Sequence, residues 1–328
     1  MIKLISPKAL RKLGIMGMNR RNIGLIGSYN QRINYHIADN KLATKSAALD
    51  RGIPVPELYG TVEHQFQVSS LDKQIQDLDS FVIKPAQGSG GKGILVIVGR
   101  DGDRFVKSSG VTISYDEIKR HVSNILAGLY SLGGRNDVAM LEALIEVDPI
   151  LKELSVEGVP DIRIIVFRGV PVMAMMRCAT RISDGKANLH QGAVGVGIDI
   201  DIGQAVAAVQ HSTVISKHPD TGIGFYQLEV PFWSQVLRLA AGCANMAGLG
   251  YLGADIVLDR VRGPMLLELN ARPGLTIQVA NQAGLRHRLA VAEEIANNTE
   301  SQEEKISLAR KAFSASDRAL GQLTLNIS

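Results

Sequence analysis

Residues 81–99 read FVIKPAQGSGGKGILVIVG. Two β-rich runs, Phe81 to Ile83 and Ile94 to Val98, flank a tip that holds four glycines. Gly88, Gly90 and Gly93 satisfy G-x-G-x-x-G literally, but a dinucleotide-binding turn needs a helix after the glycines. Here a β-rich run follows, which excludes that turn. A P-loop is excluded as well: Ala86 stands at its first glycine, and Gly93 replaces the Ser or Thr required after Lys92. What remains is a glycine-rich hairpin tip entered through Lys84. Unobstructed backbone N–H groups can fold over a triphosphate while a lysine ammonium supplies a point charge. A plain solvent-exposed hairpin is the competing reading, because glycine is at home in turns.

The second informative stretch is GADIVLDRVRGPMLLELN, residues 253–270. Ala254 to Leu258 and Met265 to Leu269 read as two strands joined around Arg262-Gly263-Pro264. Glu268 and Asn270 are two apart on a strand and share a face, and an antiparallel partner can set Asp255 opposite them. Three hard oxygen donors in one patch suit Mg²⁺. The strands are otherwise apolar, and a buried charge there is costly unless it is paired or metal-bound. Both carboxylates facing solvent at a sheet edge is the alternative.

Around these stretches the chain alternates helices and hairpins. Asn40 to Arg51 reads as a helix with Leu42, Ala43, Ser46, Ala47 and Leu49 along an apolar stripe, ended by Gly52. Residues 115–132 and Trp233 to Ala247 read as further helices. Met140 to Val147, Ile162 to Phe167 and Val172 to Arg177 read as strands, the last two turning at Gly169-Val170-Pro171. Hairpin connections dominate, so the expected fold class is α+β, with sheets backed by helices.

At 328 residues, 45% hydrophobic and 21% charged, the composition is that of a globular protein of about two domains. The net charge of +4 and 5% aromatic content argue against a nucleic-acid platform. Two cysteines, Cys178 and Cys243, cannot build a disulfide framework, and the expected setting is reducing and cytoplasmic. The longest uncharged stretch, Leu239 to Ala254, is too short and weakly apolar to span a bilayer.

Six segments in order resemble the ATP-grasp superfamily of carboxylate–amine ligases: DNKLATK, FVIKPAQGSGGKGILV, MLEALIE, DIRIIVFRGVPVMAMMR, NLHQGA and GADIVLDRVRGPMLLELNARPGL. The resemblance runs from about Asp39 to about Gln282 and is closest to the α-L-glutamate ligase-like branch, which includes the ribosomal-protein glutamate ligase. HPDTG followed by VPFW is similar to the ATP-grasp group found beside sugar-transfer genes. The resemblance implies two α+β lobes gripping ATP, with Lys41 and Lys84 on the nucleotide and Gly88, Ser89, Gly90, Gly91 and Gly93 closing over its phosphates. It implies Glu142, Ala143 and Leu144 at the adenine, Asp161 at the ribose and Asn188 as a further polar ligand. Asp255, Glu268 and Asn270 would bind two Mg²⁺ ions, Mn²⁺ being a substitute, with Glu268 as the bridge.

Arg163 and Arg177 align with cationic positions near the phosphates and the reacting carboxylate. Where some relatives carry arginine before the metal-binding aspartate this chain has Ala254, so Arg177 or Arg272 must serve the acylphosphate. Arg272 in NARPG suits bidentate grip of a substrate carboxylate. The implied activity is ATP-dependent amide or peptide bond formation through an acylphosphate, adding glutamate or another amino acid to a peptide, protein or cell-surface precursor. A kinase-like phosphotransferase and a non-catalytic ATP-binding sensor or scaffold remain the alternatives.

The implied layout is a short, truncated N-terminal region over 1–38, a lobe with the glycine-rich loop over 39–140, a lobe with the metal site over 141–300 and a helical tail over 301–328. A homodimer or a partner subunit would complete the N-terminal lobe, and the MGMNRRN cluster could supply charge for an anionic substrate. Outside the segments, His190 reads as a phosphate contact or a structural histidine. His218 and Asp220 read as turn residues, and Asp199 and Asp201 as a turn rather than a metal site. Cys178, Cys243 and the Met173, Met175 and Met176 run read as core. Ser301 to Leu320 reads as an exposed amphipathic helix.

Overall fold

The computed structural model describes residues 6–88, 90–211 and 213–314. It is an α+β protein built on two antiparallel sheets, as expected. The first contains β1 (Leu58–Val62), β2 (Phe81–Pro85), β3 (Leu95–Asp101), β4 (Arg104–Lys107), β5 (Thr112–Ile113) and β6 (Ala139–Glu142), in the spatial order β1-β6-β2-β3-β4-β5. Phe81, Ile83, Ile97 and Phe105 bury one face against helix α2 (Tyr115–Leu126). Ser114 starts that helix with a capping box to Glu117, and Ile118, Val122 and Ile125 form its buried stripe. The helix stops short of the expected residue 132, because the Gly128 backbone turns at φ +78°.

The second sheet contains β7 (Asp161–Phe167), β8 (Val170–Cys178), β9 (Val194–Ile198), β10 (Ala205–Gln210), β11 (Thr213–Ile215), β12 (Tyr251–Asp259) and β13 (Gly263–Asn270), in the order β11-β10-β9-β8-β7-β12-β13. Helices α3 (Trp233–Ala247), α4 (Leu285–Asn298) and α5 (Gln302–Phe313) pack on it. Every residue of β7 and β12 is buried, so alternation along them separates an apolar face from a charged one rather than core from solvent.

Four local expectations are corrected. The strand expected over Met140 to Val147 ends at Glu142, because the Ala143 N–H leaves the sheet to donate to Glu57 O at 2.9 Å. The β7–β8 turn falls at Arg168-Gly169, one residue earlier than expected. Helix α1 (Lys41–Leu49) buries Thr44, Lys45 and Ala48, not the stripe of Leu42, Ala43 and Leu49. Finally, α5 is not a solvated helix: Ile306, Ala309 and Phe313 are buried at helical spacing and join the core of the second sheet. The rest of the expected Ser301–Leu320 helix, beyond Ser314, lies outside the described residues.

The short N-terminal region is fastened to the second sheet. Met16, Leu25 and Ile26 enter its core. Asn30 Nδ2 donates to Tyr251 O at 2.7 Å and Asn30 Oδ1 accepts from Tyr251 N at 2.8 Å. The two sheets are joined where the chain leaves the first: Asp148 N donates to Leu258 O at 3.1 Å and Arg260 N to Glu146 O at 2.7 Å.

Candidate nucleotide and metal site

The neck of the glycine loop is built by Asp137, which is buried and whose carboxylate accepts from Gln87 N at 3.0 Å, Val138 N at 2.8 Å and Ser131 Oγ at 2.5 Å. Gly88 and Gly93 are fixed by sterics. A Cβ at Gly88 would lie 2.3 Å from Pro85 Cγ, and one at Gly93, where φ is +75°, would lie 2.5 Å from the Tyr130 ring. Gly90 and Gly91 also hold positive φ. Ser89, expected in this loop, lies outside the described residues.

Two lysines and a glutamate meet beneath the loop. Lys84 on β2 places Nζ 2.5 Å from Glu142 Oε2, and Lys45 on α1 places Nζ 2.8 Å from Glu142 Oε1. Lys45 Nζ also donates to Pro56 O. All three side chains are buried, and burial pulls the Lys45 ammonium below the usual lysine range against the pull of Glu142. Sequence reasoning missed Lys45. Its signal was the i, i+4 spacing from Lys41 in KLATK, which puts both ammonium groups on one helix face. Lys41 points to the loop: its Nζ donates to Gly88 O at 2.7 Å and lies 3.7 Å from Glu268 Oε2. Lys41, Lys45, Lys84 and Glu142 face Leu266 and Leu267 of β13 across one cleft.

β12 pairs with β13 as expected, and a register shift between Asp255 and Ile256 sets Asp255 opposite Glu268 and Gly253 opposite Asn270. The charged face continues into the sheet, because Asp255 is also opposite Arg163, and Asp161 is opposite Arg177. Arg163 grips Asp255 with two bonds, Nε to Oδ1 at 2.7 Å and Nη2 to Oδ2 at 2.6 Å. Arg177 holds Asp161 the same way, at 2.6 and 2.5 Å, and gives Asp255 Oδ2 a further bond at 2.7 Å. Burial would raise Asp255, but Arg163 and Arg177 overcome it and hold the carboxyl down to about 2. Burial pushes Asp161 up to about 6 against the opposing Arg177 charge. Arg177 itself is raised: burial opposes its charge, but Asp161 and Asp255 outweigh that.

This donor set fits a hard divalent cation. Two carboxylate oxygens offer about four lone-pair sites, and Asp255 uses three of them on guanidinium N–H groups. Glu268 and Asn270 are half-buried beside it, Asn270 Oδ1 accepting from Arg272 N at 3.1 Å. The residues open to an ion are therefore Glu268 and Asn270, with Asp255 able to add one bond from its remaining lone-pair site.

Other expected residues have different surroundings. Asp161 spends both oxygens on Arg177 and is buried, so its geometry favours positioning that arginine over gripping a ribose. The Glu142 carboxylate is spent on lysines, which leaves the backbone around Ala143 and the half-buried Leu144 as the part able to meet a base. Asn188 caps a turn by accepting from His190 N at 3.0 Å. Arg272 is exposed, lies over the Tyr35 ring at 4.7 Å and sits 3.4 Å from Asp39 Oδ1. His218 Nδ1 accepts from Asp220 N and Thr221 N, and Asp199 Oδ1 accepts from Asp201 N, so both segments are turns.

The sequence profile described as "Sugar-transfer associated ATP-grasp" matches residues 20–294. Cyanophycin synthetase from Synechocystis sp. is 24% identical over 88% of this chain and 33% of its own length, so the chain spans about a third of that relative. The ATP-grasp ligase PsnB complexed with its minimal precursor has 14% identity and a TM-score of 0.45, covering 85% of this chain and 63% of its own. D-cycloserine synthetase DcsG has 16% identity and a TM-score of 0.47, covering 79% and 71%.

Proposed function

This chain belongs to the sugar-transfer associated ATP-grasp family, and on that premise we propose that it is an ATP-dependent carboxylate–amine ligase. The observation that carries the reading is the position of Lys41, whose ammonium touches both the glycine loop, at Gly88 O, and the Glu268 carboxylate. A polyphosphate drawn to that charge would lie between backbone N–H groups and the oxygen-donor patch.

A free carboxylate is a poor electrophile, because it would have to expel oxide. In the proposed reaction a substrate carboxylate oxygen attacks the γ-phosphorus of ATP. The bond from that phosphorus to the ADP oxygen breaks and an acylphosphate forms. An amine nitrogen then attacks the carbonyl carbon, the C–O bond to phosphate breaks, and the amine proton is lost to solvent. ADP, phosphate and an amide are the products.

Lys41 and Lys84 neutralise phosphate oxygens, and the Gly88–Gly93 segment covers them and excludes water that would hydrolyse the acylphosphate. Asp255, Glu268 and Asn270 would hold Mg²⁺, which when bound stabilises charge on the transferring phosphoryl group. Arg163 and Arg177, held by Asp255 and Asp161, keep positive charge beside that patch that can offset the charge of the acylphosphate, and Arg272, exposed beside Asp39, is the proposed grip on a substrate carboxylate. Glutamate, or another amino acid, is the proposed amine, and a peptide, protein or cell-surface precursor the proposed acceptor.

The test is incubation with ATP, Mg²⁺, an amino-acid pool and carboxylate acceptors, read by mass spectrometry and phosphate release. Ligation yields equal ADP and phosphate and an acceptor heavier by one amino-acid residue. A phosphorylated acceptor without free phosphate would replace the ligase with a kinase. Nucleotide binding without turnover on any acceptor would leave a sensor.

A further inference from the structure

Seven of the chain's 36 Lys and Arg residues, and none of its 32 Asp and Glu residues, precede Asp39. The remainder is therefore slightly net negative, and the N-terminal segment is strongly cationic. Lys8, Arg11, Lys12, Arg20 and Arg32 are exposed, and none forms an ion pair among the described residues. The same segment exposes aliphatic side chains, with Leu13 at 44%, Met18 at 67%, Ile23 at 75% and Ile33 at 76%. Its helical turns Pro7–Lys12 and Met18–Arg21 bury no residue at all. The segment anchors Met16, Leu25 and Ile26 in the core yet leaves these four side chains in solvent, so part of its apolar surface is unpartnered.

We propose that this face rests on an anionic lipid bilayer as a peripheral contact. Unpaired cations supply attraction to acidic headgroups, and the interleaved aliphatic side chains can enter the headgroup boundary. A single-stranded nucleic acid would use the same cations but draws its remaining affinity from aromatic stacking, and the large apolar side chains this segment exposes are all aliphatic. The contact is coupled to the candidate site. Arg21 Nη1 donates to Pro273 O at 2.9 Å and Met16 N to Gln278 Oε1 at 2.8 Å, which ties the segment to the loop that follows Asn270 and Arg272. A bilayer under the segment would therefore hold that loop close to the membrane surface.

The experiment is co-sedimentation of the full chain with vesicles of phosphatidylcholine alone or mixed with phosphatidylglycerol. Binding is expected only to the anionic vesicles, and it falls as salt rises. Lys8→Gln/Arg11→Gln/Lys12→Gln should cut the partition coefficient at least about tenfold, and Met18→Ser/Ile23→Ser should lower it further in salt that screens charge. In an otherwise native chain, Ile23→Trp should give a blue-shifted emission with anionic vesicles only. Absence of anionic-vesicle binding at low salt, or binding unchanged by the triple substitution, would overturn the proposal. So would an oligonucleotide that binds with the same salt dependence while Met18→Ser/Ile23→Ser leaves vesicle binding unchanged.

Discussion

Replacing Arg163 by methionine isolates the charge balance beneath the candidate metal site. Asp255 is fully buried, and Arg163 supplies two of the three guanidinium N–H groups that reach it, at 2.7 and 2.6 Å. Arg163, Arg177, Asp161 and Asp255 together are neutral, so the substitution leaves one uncompensated negative charge in the sheet. Removing one partner of a buried pair costs about 3–5 kcal/mol. Arg177 keeps its 2.7 Å bond to Asp255, which places the expected loss near the lower end, at about 3 kcal/mol. Arg163→Met/Asp255→Leu restores neutrality, with Arg177 still held by Asp161, and should recover to within about 1 kcal/mol of the parent. Urea unfolding of the parent, both single variants and the double variant gives the coupling directly. A single substitution costing under about 1 kcal/mol, or a double variant no better than the single, would refute the view that Arg163 exists to compensate Asp255.

Glu268→Gln should lower Mg²⁺-dependent ATP turnover by about a hundredfold or more, while unfolding free energy stays within about 0.5 kcal/mol, because the side chain is only half-buried; unchanged turnover would remove Glu268 from the site. Lys45→Met leaves Glu142 with Lys84 alone and should destabilise by about 3 kcal/mol, measurable by the same unfolding experiment; a neutral effect would contradict its pairing. In pH titration, Asp255 folds at about 2 against 3.8, so its stabilisation is present above about pH 4 and lost as pH falls toward 2. Asp161 folds at about 6, above 3.8, so its contribution has the opposite sign and stability rises as pH falls from about 6 to about 4. The stability of the parent relative to Asp161→Asn should therefore rise as pH falls from about 6 to about 4, and a difference that stays constant over that range would contradict the raised carboxyl. Burial leaves both cysteines unexposed, raises the Cys178 thiol and pushes that of Cys243 up to about 12. A thiol reagent should accordingly label neither in the native protein and two per chain after unfolding.

Some of this was legible in the residues. Helix α3 runs from Trp233 to Ala247 as its pattern indicates, and Glu268 and Asn270 share a strand face by period-two alternation, but Asp255 faces Glu268 only through the register shift between Asp255 and Ile256, which the residues do not announce. Lys45 was legible only as the i, i+4 partner of Lys41; hydrophobic periodicity scores a lysine as surface, and its burial depends on Glu142, nearly a hundred residues away. The same holds for Asp161 and Arg177: each reads as a ligand on its own strand until the register sets them opposite one another. The amphipathic pattern of α5 was visible, but the sheet surface that buries Phe313 was not. Membership of the sugar-transfer group was carried by HPDTG and VPFW, segments that make a turn and a helix start rather than the site.

A crystal structure with Mg²⁺ and a non-hydrolysable ATP analogue tests the central claim most directly. The polyphosphate is expected between the Gly88–Gly93 segment and the face of β12 and β13, with Lys41 and Lys84 on phosphate oxygens and Glu268 and Asn270 on the ion. A nucleotide bound elsewhere, or bound there with Glu268 and Asn270 remote from both ion and phosphates, would contradict the account.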